Sequence, residues 1–176
     1  MPSTTLVPVS DISTTSWSEI GPGTDFFDQV DDGFPADDNT SFVETTTDSA
    51  VLKLGLTNRP SNFDFADTVN YTIRITTEAK HTKQLKFRIF ESDGTSAITS
   101  LVTISTAANS WMTLTGSMSI TGTNNSTSWT DPQLHVHCVD LSSSSLSITA
   151  VDIDVDFTET SEDIGSPWYH YLTGRD

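Results

Sequence analysis

The stretch Leu146–Phe157, LSITAVDIDVDF, restricts the possible folds more than any other part of the chain. From Val151 onward, apolar side chains fall at every second position (Val151, Ile153, Val155, Phe157), while Asp152, Asp154 and Asp156 take the positions between them. That period of two belongs to a β-strand with one face on a core and the other in water. Upstream the phase is reversed, with Leu146, Ile148 and Ala150 apolar at even positions. An alternating strand cannot change parity without an extra residue, so a bulge or a change of partner sheet is expected near Thr149–Val151.

Such a strand needs neighbours, and the rest of the chain supplies them. Ala50–Leu56 sets Leu52, Leu54 and Leu56 against Lys53 and Gly55, and Val69–Thr77 sets Val69, Tyr71, Ile73 and Ile75 against Asn70, Thr72, Arg74 and Thr76. Gln84–Glu91 places Leu85, Phe87 and Ile89 opposite Lys86 and Arg88, and Leu134–Leu141 places Leu134, Val136 and Cys138 opposite His135, His137 and Val139. Further apolar segments run over Ala97–Ser105 and Trp111–Ile120, at Phe42 and Val43, and at Phe26, Phe27 and Val30. Turn signals separate them at Gly21–Gly23, Asp32-Gly33, Asp93-Gly94 and the serines at 142–145. No segment carries a helical period. The expectation is therefore all-β: an antiparallel β-sandwich of eight or nine strands, jelly-roll-like because its longer connections are dispersed. The sandwich domain is placed at 14–158. An N-terminal extended arm, 1–13, precedes it, in which Pro2 and Pro8 limit any strand to an edge, and a C-terminal arm, 159–176, follows it.

Charge narrows the partners. The chain of 176 residues holds 24 acidic residues against 8 Lys and Arg, a formal charge of -16. That argues against a nucleic-acid backbone or an anionic bilayer as partner. No base occurs from Met1 to Leu52, whereas Arg74, Lys80, Lys83, Lys86 and Arg88 fall in one short region. These five are read as charge contacts that offset the acids, within the fold or across a subunit boundary. The lone Cys138 reads as a small buried hydrophobe. No window approaches the run of about 18 apolar residues that a membrane span needs, and Met1–Asp11 has no leader pattern, so a soluble chain without an export signal is expected.

Catalytic signatures are absent from the sequence: no nucleophile elbow, His-Glu-x-x-His, P-loop or dinucleotide fingerprint occurs. A non-enzymatic chain with no cofactor is expected. The residues that a metal would have to use are Asp28, Asp31 and Asp32, in an acidic stretch that lacks the EF-hand spacing, and the His135/His137 pair on one strand face. An exposed acidic turn and two exposed strand histidines are the favoured readings, so no metal is assigned. Trp17, Trp111, Trp129 and Trp168 are candidates for a sugar-stacking platform, and more often residues of this kind belong to a core or rim.

The segments LVPVSDISTTSW, DQVDDGFPADDNTSFVET, AVLKLGL and SITAVDIDVDF together resemble small β-sandwich virion proteins of tailed bacteriophages, over Leu6–Phe157. The resemblance implies a structural virion protein, a capsid decoration or cement protein that binds and stabilises the shell of major capsid protein. It also implies a homo-oligomer, trimer or dimer, on the outer surface of the capsid, assembled in the host cytoplasm. The alternatives are a carbohydrate-binding β-sandwich module and a structural subunit of tail or fibre. Under the virion reading, partner-binding residues are Leu6, Val7, Val9 and Ile12 at one end and Trp168, Tyr169, Tyr171 and Leu172 at the other, because exposed aromatic and aliphatic groups in polar tails seek a surface to dock on.

Overall fold

A computed structural model of the chain describes residues 1–21, 25–30, 34, 40–77, 83–106, 110–139, 141 and 145–160. Among them are eleven strands: β1 Ser3–Leu6, β2 Pro8–Ser13, β3 Ser18–Ile20, β4 Phe42–Thr45, β5 Val51–Leu56, β6 Phe63–Thr77, β7 Lys83–Phe90, β8 Val102–Thr106, β9 Met112–Met118, β10 Gln133–Val139 and β11 Leu146–Glu159. They form two antiparallel sheets. One runs β3-β4-β11-β6-β9, with β1 also paired to β11, and the other runs β2-β5-β10-β7-β8. From β4 to β7 and again from β8 to β11, each strand lies in the sheet opposite its predecessor, so the fold is the expected jelly-roll-like sandwich.

The alternating residues do what their period dictates. Leu52, Leu54, Leu85, Phe87, Ile89, Leu134, Val136 and Cys138 of one sheet face Val69, Ile73, Ile75, Ile153, Val155 and Phe157 of the other, all of them buried. Tyr71 meets Phe87 across this core edge to face, with ring centroids 5.0 Å apart, and Phe63 stacks on Phe157 at 5.1 Å. The parity change in β11 is a bulge. Its register against β6 shifts between Ile148 and Ala150, where the neighbour on its other side changes from β4 (residues 146–148) to β1 (residues 153–156). At the bulge the Thr149 hydroxyl donates to the Ser41 carbonyl at 2.7 Å, and the Val151 amide donates to the Val30 carbonyl at 3.1 Å. Unpaired backbone and hydroxyl groups are thereby satisfied in a fully covered part of the strand.

Three expectations are corrected. The strand count exceeds eight or nine because residues 3–13, read as an arm, form β1 and β2, and Ser18–Ile20, just ahead of the Gly21–Gly23 turn signal, forms β3. Residues 1–13 are not a free arm: Ser3–Leu6 pair with β11, Pro8–Ser13 pair with β5, and the Phe157 amide donates to the Pro2 carbonyl at 3.1 Å. Pro2 precedes β1 and Pro8 opens β2 at a sheet edge, where a missing N–H is harmless. Phe27–Gln29 forms a short 3-10 turn rather than a strand, and Asp11 accepts hydrogen bonds there from the Phe26 and Phe27 amides at 2.8 and 2.9 Å. The C-terminal arm, with Trp168, Tyr169, Tyr171 and Leu172, lies outside the described residues beyond its first two positions.

Candidate ligand groove

The outward positions of β5, β10 and β7 build a groove of about 650 Å³. Register decides its lining. His135 lies opposite Lys53 on β5 and Arg88 on β7, which makes one cross-strand row, Lys53–His135–Arg88. The next row is Val51–His137–Lys86, continued by Thr103 of β8. Leu101, Val139 and Phe90 complete the walls. With strands about 4.8 Å apart and residues two apart on a strand about 7 Å apart, the backbones of Lys53, Lys86 and Arg88 fall within about 12 Å of one another.

The floor is held by a ring stack and a directed hydrogen-bond chain. The His135 imidazole stacks on Phe90 with centroids 4.1 Å apart, and the Arg88 guanidinium carbon sits 4.5 Å from the centre of the same ring. Gln133 Nε2 donates to the Ser92 carbonyl at 2.6 Å, and Gln133 Oε1 lies 3.0 Å from His135 Nε2. Since a carbonyl oxygen can only accept, the Gln133 amide orientation follows, and His135 Nε2 must carry the proton. Gly94 seats this chain: its φ is +65°, and a Cβ there would lie 2.9 Å from Gln133 Oε1. The Asp93-Gly94 turn read from the sequence is therefore also a support of the groove.

Burial lowers the His135 pKa to about 4, and the positive charges of Lys53 and Arg88, with His137 beside it, push in the same direction. His137 is lowered as well, first by burial and then by Lys53, Arg88 and Lys86. Both imidazoles are uncharged at neutral pH, and three permanent cations surround them. Such a setting repels a divalent ion, so the pair is a poor zinc site, and among the described residues no three His, Cys, Asp or Glu gather as metal ligands. Burial, followed by the charge of Asp48, pushes the Cys138 thiol up to about 12 on the core side of β10.

Along the sheet, past Gln133, a second groove of about 280 Å³ lies between β2 and the β10 end, lined by Val9, Ser10, Ile12, Gly55, Asn58 and Asp131 among others. Gly55 leaves room there for the Ser10 hydroxyl, which would have to turn away from a Cβ at that position.

The residues singled out from the sequence are thus redistributed. Leu6 is buried in the protein's own core at 1% exposure and cannot dock on a neighbour, while Val9 and Ile12 are exposed on β2 and Val7 is half-buried between β1 and β2. The basic cluster divides: Lys86 and Arg88 join Lys53 in the groove, but Arg74 lies on the outer face of the other sheet, where its Nη1 donates to the Thr113 hydroxyl at 2.8 Å. Lys83 opens β7, and Lys80 lies outside the described residues. Asp28 is exposed on the 3-10 turn, and Asp31 and Asp32 lie outside the described residues. Trp17 and Trp129 are buried and Trp111 is half-buried against Phe42, so they form no common platform. Lys53, Phe90 and Gln133 were missed as site residues. Alternation had put Lys53, Lys86, Arg88 and both histidines on outward faces, but only the β5-β10-β7 order brings those faces together.

No protein-family model matches the chain, and no curated protein is similar to it in sequence. Solved structures do share its fold. The Arthrobacter globiformis T6 isomalto-dextranase complexed with panose is 12% identical with a TM-score of 0.50, over 88% of this chain and 23% of that one. A CBM35 from Cellvibrio japonicus is 14% identical with a TM-score of 0.49, over 90% of this chain and 95% of that one. The CBM36-1 domain of a multidomain xylanase from the hindgut metagenome of Trinervitermes trinervoides is 12% identical with a TM-score of 0.48, over 90% of this chain and all of that one. These likenesses correct the resemblance drawn from the sequence. The neighbours are carbohydrate-binding modules and a glycan-acting enzyme rather than virion proteins, so the capsid-cement role, the major capsid protein as partner and the shell-bound oligomer are withdrawn.

Proposed function

We propose that the chain is a carbohydrate-binding β-sandwich module that takes a glycan along the outer face of the β2-β5-β10-β7-β8 sheet. The observation that carries this reading is the open groove of about 650 Å³, whose walls mix apolar side chains (Val51, Leu101, Val139) with hydrogen-bonding ones (Lys53, Lys86, Arg88, His135, His137). A sugar ring presents the same mixture, C–H faces flanked by hydroxyls, and pockets of this size with a few convergent polar groups are the usual form of small-ligand sites. The sandwich fold is shared with the isomalto-dextranase complexed with panose, but at 12% identity the ligand must be argued from this groove alone. The role proposed is binding, because the described lining residues offer cationic and hydrogen-bonding groups rather than the carboxylate pair that glycoside hydrolysis uses.

Affinity electrophoresis against a panel of soluble polysaccharides, neutral and acidic, tests the proposal. Retardation by at least one member is expected, with a loss of about tenfold or more for Val51→Trp, which sets an indole into the groove from an outward position of β5. A panel that leaves the mobility unchanged throughout overturns the glycan reading, and undiminished retardation of Val51→Trp overturns the groove as its site.

A further inference from the structure

We propose that the groove is built for an acidic saccharide, one carrying a uronate carboxylate or a sulfate ester. This rests on the glycan reading above and specifies its ligand class. The observation is a local reversal of charge. In a chain with 24 acids and 8 bases, Lys53, Lys86 and Arg88 line the groove, and no Asp or Glu stands among its described lining residues. Three of the eight bases converge on one sheet face, and none of them makes an ion pair among the described residues. Like charges held this close, on a half-buried surface, repel one another and raise the energy of the empty groove. A bound oxyanion relieves that repulsion and accepts charge-assisted hydrogen bonds from all three.

Shape and position fit the same ligand. Arg88 is already fixed over Phe90 at 4.5 Å, so its planar donor fork is oriented before a ligand arrives and little side-chain freedom remains to be lost. The neutral His137 imidazole beside the cations can donate and accept, as hydroxyl groups require, while His135, whose Nε2 proton goes to Gln133, keeps Nδ1 as an acceptor. A free inorganic anion would leave most of a groove of about 650 Å³ empty, as well as its apolar Val51, Leu101 and Val139 walls. The net charge of -16 opposes a long polyphosphate backbone, but its far field is screened beyond about 8–10 Å at physiological salt, and the cations act at contact.

The experiment uses the whole chain in isothermal titration against matched pairs. These are polygalacturonate and its methyl ester, and a sulfated galactan and its desulfated form, with inorganic phosphate, inorganic sulfate and a single-stranded oligonucleotide as further ligands. Binding to at least one charged glycan is expected, about tenfold or more tighter than to its neutral counterpart. Lys53→Gln, Lys86→Gln and Arg88→Gln should each weaken that binding about tenfold to hundredfold with melting temperature unchanged. Arg74→Gln, on the opposite sheet, removes the same charge and should bind as the unaltered protein does. The pair that binds assigns the oxyanion, carboxylate or sulfate. Equal binding of a charged glycan and its neutral counterpart overturns this inference while leaving the glycan reading intact, and binding to no glycan overturns both. Equal losses from Arg74→Gln and Arg88→Gln, displacement by the inorganic anions alone, or preference for the oligonucleotide also overturn it.

Discussion

The imidazole of His135 loses its proton affinity for two reasons that act together: it is buried at 3% exposure, and Lys53, Arg88 and His137 stand around it. Its folded pKa of about 4 lies below the value of about 6.5 expected for an unfolded chain. Between those values the unfolded chain binds more protons than the folded one, so stability is fully present above about pH 6.5 and falls as the pH drops toward 4. The urea midpoint should therefore fall between about pH 7 and pH 5, and fall less in His135→Gln, whose amide can still donate to Gln133 Oε1. Equal pH dependence in the two proteins would show that this residue does not set it. Gly94→Ala tests the support beneath: a methyl group at φ +65°, 2.9 Å from Gln133 Oε1, should cost about 1–2 kcal/mol in urea unfolding and weaken ligand binding as well. At this scale the sequence was only partly informative. Outward positions of Lys53, Lys86, Arg88, His135 and His137 followed from alternation, but the Phe90 stack and the Gln133 bridge depend on contacts across strands far apart in the chain.

Among the elements, β11 was the most legible, because a pattern of two read along its length predicts both its buried face and the bulge at Thr149 where that pattern breaks. Val155→Asp would place a charge at a position with 0% exposure, opposite Val69 and away from any base of the groove. A cost of about 3–5 kcal/mol is expected in urea unfolding, a large share of the roughly 5–15 kcal/mol that holds a domain of this size. The first strand was the least legible. STTL has no alternation long enough to register, and flanking prolines suggested a loose arm, yet Leu6 fills the core and four residues pair with Asp156 through Ile153. Deleting residues 1–7 should lower stability by about 2–4 kcal/mol, the worth of one buried leucine and its strand pairing, where removal of a free arm would leave the urea midpoint unchanged.

Across the whole molecule the two outer faces differ in sign. Asp152, Asp154 and Asp156 line the outside of one sheet, where Thr5 and Thr68 donate to Asp154 and Asp156 at 2.6 Å each, and Lys53, Lys86 and Arg88 line the outside of the other. Net charge alone excluded anionic partners, and it is the separation of the two faces by a core that qualifies that exclusion, since a sum over residues holds no information about which side each one occupies. The pairing of β1 with the far half of β11 has a consequence of a different kind. It brings residue 2 to hydrogen-bonding distance of residue 157, so the first strand and the last close on each other like a clasp. Cutting the chain in the exposed turn at 46–49 and joining residue 160 to residue 1 through a short glycine-serine tether should therefore yield a permuted protein with the same sheets. In such a molecule the new ends would sit beside Leu141 and Cys138, since Asp48 and Ser49 contact those residues in the present order, and the groove with its three cations would be left whole.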